Sequence, residues 1–177
     1  ALRHLSVARN PLSPGDWVDA GWARGCPALE SLDVSRCLLT SLSITKHLPR
    51  LRVLVASHNV LPSVPEFSSP LLSELWLDRN LLVGLSPAPS ALHLRSLHLQ
   101  ENELVRLPPL GAYPALTTLD VSFNHILDLD AISHLAAAPS LRSLRLLENP
   151  AAEDPTYHAT VRRYVPWLSE LDHEPVT

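Results

Sequence analysis

The sequence predicts an α/β solenoid: a right-handed horseshoe with a parallel sheet on its concave side, short 3₁₀ or helical arms on its convex side and a helical C-terminal cap. Three observations predict it. A nine-residue frame with leucine at places one and four, an apolar residue at place six and asparagine or cysteine at place nine recurs seven times. The frames open at Leu2, Leu29, Leu51, Leu72, Leu94, Leu116 and Leu141, at intervals of 27, 22, 21, 22, 22 and 25 residues. None of the 17 prolines or 5 glycines falls inside a frame, whereas even scattering would put roughly eight there, because both residues are driven out of a central strand.

Each place in the frame has a physical reason. Places one, four and six point inward, where neighbouring repeats stack into one core, and each buried aliphatic side chain is worth about 1.5–3 kcal/mol. Place nine is Asn10, Cys37, Asn59, Asn80, Asn102, Asn124 or Asn149. There the chain leaves the strand and its backbone polar groups need partners away from water. An amide offers donors and an acceptor that bridge adjacent turns, and a thiol donates weakly. Cys37 is therefore read as a ladder residue, and Cys26 as a small buried side chain.

A 22-residue repeat leaves a short return arm. Pro62, Pro65, Pro87, Pro89, Pro108 and Pro109 suit it, since it needs few backbone donors. The longer first unit, with "SPGDWVDAGWARGCP" (Ser13 to Pro27), has room for two helical turns, Trp17 and Trp22 covering the convex side. The 25-residue sixth unit is expected to carry a short helix begun near Asp130. After Asn149 the frame breaks. A helix of about ten residues is expected from Pro155, with Tyr157, Val161 and Tyr164 on one face and Pro166 ending it. An open solenoid end exposes leucines, so a cap is required. The chain thus divides into seven repeats over 1–149 and a cap over 150–177.

The frame L-x-x-L-x-L-x-x-N/C-x-L is the leucine-rich repeat pattern. The tail resembles the leucine-rich-repeat C-terminal cap through Asn149, Pro150, Tyr157, Val161, Pro166, Leu168, Leu171 and Asp172, departing from it at His158 and Val165. The chain looks like the 22-residue class typified by the leucine-rich regulatory subunit of protein phosphatase 1. Axonemal dynein light chain 1, ciliary leucine-rich proteins, tubulin-folding cofactor E and the U2 small nuclear ribonucleoprotein A-prime protein also belong there. That resemblance implies an intracellular eukaryotic protein, cytoplasmic and cytoskeletal or ciliary, with the nucleus as the alternative. Two cysteines are too few for a disulfide framework and agree with a reducing compartment. With no methionine and no matching N-terminal cap, Ala1 is expected to continue a longer chain.

On each strand the third, fifth, seventh and eighth places are expected to face the concave side. The expected anchor is Val55, Trp76, His98 and Phe123, with Arg79 and Asp120 beside it and His58, Asp78 and Arg145 completing the partner-binding set. The alternative is that Trp76 merely packs on its neighbours. Along place eight the charge changes sign, from Arg9, Arg36, His58 and Arg79 to Glu101 and Glu148, a gradient able to orient a partner.

Nine histidines raise the question of a metal or catalytic site, yet no H-E-x-x-H, paired C-x-x-C, phosphate-binding glycine loop or G-x-S-x-G occurs. His58 and His98 lie two repeats apart, roughly 10 Å, too far to share a zinc ion. Asp128 and Asp130 suit turn roles in a return arm. No cofactor, metal or catalytic residue is expected. The function expected is a non-catalytic scaffold, monomeric or within a hetero-complex, that binds a protein partner on its concave face. A phosphatase-regulatory or ciliary assembly fits that role. The alternatives are a ribonucleoprotein component like the U2 A-prime protein, or a chaperone module like cofactor E. One lysine, 13 scattered arginines and net charge −4 argue against direct RNA contact. No membrane association is expected.

Overall fold

The computed structural model describes residues 2–12, 21–64, 69–85, 91–107 and 110–176. Its spine is one nine-stranded sheet in sequence order. Strands β1 (His4–Ser6), β2 (Ser31–Asp33), β3 (Val53–Val55), β4 (Glu74–Trp76), β5 (Ser96–His98), β6 (Thr118–Asp120) and β7 (Ser143–Arg145) are places three to five of the seven frames. Every neighbouring pair is parallel, with the fourth-place leucines in register from Leu5 to Leu144. From the second frame onward, the residues at places one, four and six are all 2% exposed or less. Place eleven adds a further buried row, Leu39, Leu61, Leu82, Leu104 and Ile126.

The return arms are short, as a 22-residue period requires. They carry 3₁₀ turns at Ser43–His47 and Leu110–Ala112 and a longer 3₁₀ segment at Leu129–Ala137 in the sixth unit. In the first unit, α1 (Gly21–Arg24) is a single turn. Trp22 and Cys26 are partly buried against the core. The expected packing of Trp17, and the start of that arm, fall outside the described residues.

The tail turns through a 3₁₀ segment, Pro150–Glu153, and then α2 (Tyr157–Tyr164). Tyr157 and Val161 bury the inner face of α2 over the Leu129–Ala137 arm, Tyr164 is half-buried, and the Trp167 indole N–H donates to the Ala138 carbonyl at 3.2 Å. The helix is shorter than expected, because the Asp154 carboxylate binds the Thr156 N–H and hydroxyl in a turn before it.

Two expectations need correction. The sheet does not stop at seven rungs. β8 (Glu170–Leu171) adds a parallel eighth, with Leu171 in register with Leu144, and β9 (Glu174–Pro175) folds back antiparallel. Leu168 and Leu171 repeat places one and four of the frame, so the tail contains a clipped copy. Second, the first frame lacks the burial of the others. Leu2 is 49% exposed, Leu5 and Val7 are half-buried, and Asn10 is exposed, its amide reaching only the Val7 and Ala8 carbonyls of its own coil. Asn10 has no preceding coil among the described residues to bridge.

Candidate functional site

The ladder fixes the face that the strands present. Each internal asparagine joins two coils. The Asn102 amide donates to Leu99 and Gln100 in its own coil and to Leu77 in the one before, while its oxygen accepts the Leu82 N–H. Asn59, Asn80, Asn124 and Asn149 repeat that arrangement. Cys37 fills the same position with less capacity. Its thiol reaches the Val7 carbonyl at 3.2 Å, and the Leu12 N–H, lacking an amide oxygen, turns to the Cys37 backbone carbonyl.

The turn between strand and ladder has a feature that sequence reasoning missed. All seven residues at place eight are left-handed: Arg9, Arg36, His58, Arg79, Glu101, Phe123 and Glu148, with φ between 54° and 63°. None is glycine or asparagine, the types that adopt this region readily. Ladder hydrogen bonds on either side hold the backbone there under four kinds of side chain.

Across the fifth place runs a row of four expected residues. The Trp76 and His98 rings stack face to face, His98 neighbours Asp120, and the Asp120 carboxylate meets the Arg145 guanidinium at 3.5 Å. Trp76 is half-buried, so its indole both packs on a neighbour and offers an edge. His98 and Asp120, by contrast, are nearly covered at 9% and 5% exposure, which leaves them supporting roles. Burial holds the His98 imidazole below its ordinary pKa of 6.5, against the opposing pull of Asp120 and Asp78. The same Asp120 carboxylate takes the N–H and hydroxyl of Ser122, as Asp33 does for Ser35. The signal was in the sequence as a repeated Asp-Val-Ser at places five to seven.

Along place eight a second chain forms. Arg36 and Arg79 both reach Nε2 of His58, at 3.2 and 3.3 Å, and Arg79 also grips the Glu101 carboxylate at 2.7 Å. Burial, and then the two guanidiniums, lower the His58 pKa, so the ring stays neutral and accepts. Asp78 binds the Ser57 hydroxyl, and Val55 is half-buried at the start of the Trp76 row. Phe123 stands apart. It is 54% exposed and forms, with His125, Glu148, Pro150 and Glu153, a cleft of about 390 Å3. The expected anchor is therefore split, with Val55, Trp76 and His98 in one row and Phe123 on the rim.

Two buried polar atoms along these strands lack a protein partner among the described residues, Gln100 Oε1 and Arg145 Nε. Gln100 was not singled out from the sequence. No three described His, Cys, Asp or Glu side chains come together in a way that would hold a metal ion.

Stacked parallel rungs with an asparagine ladder define a leucine-rich repeat protein, and the chain is one. A family model for leucine-rich repeats, in two copies, matches residues 93–136. Leucine-rich repeat-containing protein 56 of Rattus norvegicus is 32% identical over 145 residues, 74% of this chain and 26% of that protein. The chain spans about a quarter of the length of the curated relatives it matches first. Among solved structures, a leucine-rich repeat protein of Leptospira interrogans superimposes with a TM-score of 0.68 at 21% identity, over 97% of this chain and 48% of that one. The Drosophila melanogaster SNF/U2A′ complex gives 0.52 at 21% identity, over 72% of this chain and 63% of that one. Both likenesses concern the fold. Solenoids of this class generally serve as protein–protein interaction scaffolds.

Proposed function

We propose that this protein is a non-catalytic scaffold that binds a protein partner on the strand face opposite the leucine core. It acts inside the cell as a subunit of a phosphatase-regulatory or ciliary and cytoskeletal assembly. The observation that carries the binding site is Trp76, half-buried, beside Val55 and braced flat against His98. Tryptophan held rigid in this way loses little entropy on contact and is enriched among residues that dominate interfaces. Val55 adjoins the tryptophan on the neighbouring strand, Asp78 and Arg79 follow it in its own coil, Arg145 stands three strands along the same row, and Phe123 marks the rim.

The test is affinity capture from a ciliated cell lysate with quantitative mass spectrometry, comparing the parent chain with Trp76→Ala and Arg79→Glu. A phosphatase subunit or axonemal component enriched by the parent and lost from both variants, each still folded by circular dichroism, is the expected result. Equal recovery by all three chains would overturn the site. Enrichment of ribonucleoprotein instead would overturn the assembly.

A further inference from the structure

Place two of the frame, just before each strand, carries a pattern that the repeat does not require. Its residues form one row. Each place-two N–H from Glu30 to Ser169 donates to the place-two carbonyl of the coil before, at 2.7–2.9 Å. Arginine stands on every second coil of that row, at Arg3, Arg52, Arg95 and Arg142. Coils lie about 4.8 Å apart, so successive arginines are about 10 Å apart at the backbone, with one residue between them.

The residue between them changes along the row. Between Arg3 and Arg52 it is Glu30, half-buried, whose two carboxylate oxygens meet the two guanidiniums at 3.3 and 3.8 Å. Between Arg52 and Arg95 it is Ser73, whose short side chain folds back so that its hydroxyl donates to the Arg52 carbonyl at 3.1 Å. A cleft of about 440 Å3 opens there, walled by Arg52 and Arg95 together with His93, Ser96 and Thr117. Arg95 makes no ion pair among the described residues, and Arg52 has only the longer of the two Glu30 contacts. Arg142 is turned onto the Pro139 and Leu141 carbonyls of its own coil, which leaves Arg52 and Arg95 as the cations of this cleft.

We propose that the cleft binds a glutamate or aspartate side chain from an acidic peptide segment of a protein partner. That carboxylate lies over Ser73, between Arg52 and Arg95, as the chain's own Glu30 lies between Arg3 and Arg52. Two coils earlier, therefore, the same row already displays the occupant that a pair of its arginines accepts, and guanidinium–carboxylate contacts are among the stronger hydrogen bonds. Net charge −4, and Glu74 in the wall of the same cleft, disfavour a polyanion such as nucleic acid. Place two precedes the strand and Trp76 lies at place five, so this site does not rest on the Trp76 reading.

Backbone-amide NMR of the isotope-labelled chain, titrated with acetylated tetraglutamate, tests it. Saturable shifts centred on Ser73, Ser96 and Thr117 are expected, and none from acetylated tetraglutamine. Arg95→Gln should weaken binding by about threefold or more, and Glu74→Gln should strengthen it by about twofold. Ser73→Glu supplies the carboxylate from within, as Glu30 does, and should weaken binding by about tenfold or more. Ser73→Gln, the same size without the charge, should bind within about threefold of the parent. Circular dichroism establishes that each variant is folded. A parent without saturable shifts, equal shifts from tetraglutamine, or equal binding by Ser73→Glu and Ser73→Gln overturns the proposal. A uridine tetranucleotide that binds the cleft more tightly than tetraglutamate overturns it as well.

Discussion

The indole of Trp76 lies against the imidazole of His98 with 3.6 Å between ring centroids and 12° between planes. The two residues are register partners on adjacent parallel strands, so strand spacing itself brings the rings into contact. Such a pair is worth about 0.5–1.5 kcal/mol beyond the area it buries. Trp76→Ala should therefore lower stability by that amount plus the burial of the half-covered indole, about 1–3 kcal/mol in all, while Trp76→Phe, which keeps a flat ring on His98, should recover most of it. Urea unfolding of both variants measures this. A loss in Trp76→Ala several times larger would mean that the indole is part of the core.

Acid should weaken the fold through two histidines. His98 is held below the ordinary value of 6.5 mainly by burial, with Asp120, Asp78 and Glu74 pulling upward and Arg145 pulling downward. His58 is lowered by burial and by Arg36 and Arg79, against Asp78 and Glu101. In both cases the folded state prefers the neutral ring. Their contribution is present in full above pH 6.5 and is lost as pH falls from there through the lower folded values. Thermal midpoints between pH 7.5 and 5 should drop for the parent and drop less for His98→Gln. Identical slopes in the two proteins would remove His98 as a cause.

The ladder predicts a graded series. Asn102→Ala removes an acceptor for the Leu82 N–H and the donors to the Leu77, Leu99 and Gln100 carbonyls, in a buried setting. It should cost about 2–4 kcal/mol. Asn102→Cys should fall between alanine and the parent, as Cys37 retains donation but no side-chain acceptor. Asn10→Ala should cost well under about 1 kcal/mol, since that amide is exposed and bonds only its own coil. Denaturant midpoints give the order, and equal losses at Asn10 and Asn102 would contradict it.

The left-handed residues predict a gain. Arg9 holds φ at 63° with its side chain exposed. Asparagine tolerates that conformation better than arginine, so Arg9→Asn should stabilise by about 0.5 kcal/mol, whereas Arg9→Val, β-branched, should destabilise by more than that. Differential scanning calorimetry reads both signs.

Near the C-terminus, the Tyr157 hydroxyl donates to Asp172 at 2.8 Å, and the other Asp172 oxygen accepts the Leu146 and Leu147 N–H groups. Tyr157→Phe should cost about 1–2 kcal/mol, and Asp172→Ala more, because it leaves three donors unpaired. Burial first, and then the Asp172 charge, push Tyr157 far above 10, while burial alone raises Tyr113 to about 12. Both favour the neutral phenol in the fold. Their stabilisation is intact below pH 10 and is lost as pH rises beyond it. Tyrosinate absorbance should show these two rings ionising only with unfolding.

The strands, their register and the interior were legible because a leucine period fixes all three at once. The ladder was legible because place nine carries asparagine in six frames and cysteine in the other. What escaped shares a different cause, since it is set by backbone geometry that leaves no mark on composition. Left-handed place eight holds arginine, histidine, glutamate and phenylalanine, and nothing in that mixture signals a positive φ. The eighth rung was hidden because Leu168 and Leu171 continue the frame while Asp172 replaces its next members. For the binding face, the sequence told which places face away from the core. It did not tell which residues on them are covered. His98 disappears beneath Trp76 of the preceding coil, and no single coil contains that information.

The fixed turn at place eight has a consequence for how such a surface changes over time. Seven positions keep one geometry under four kinds of side chain, so each behaves as a changeable letter on a rigid line. A lineage can rewrite that line one letter at a time and acquire new recognition without refolding anything beneath it.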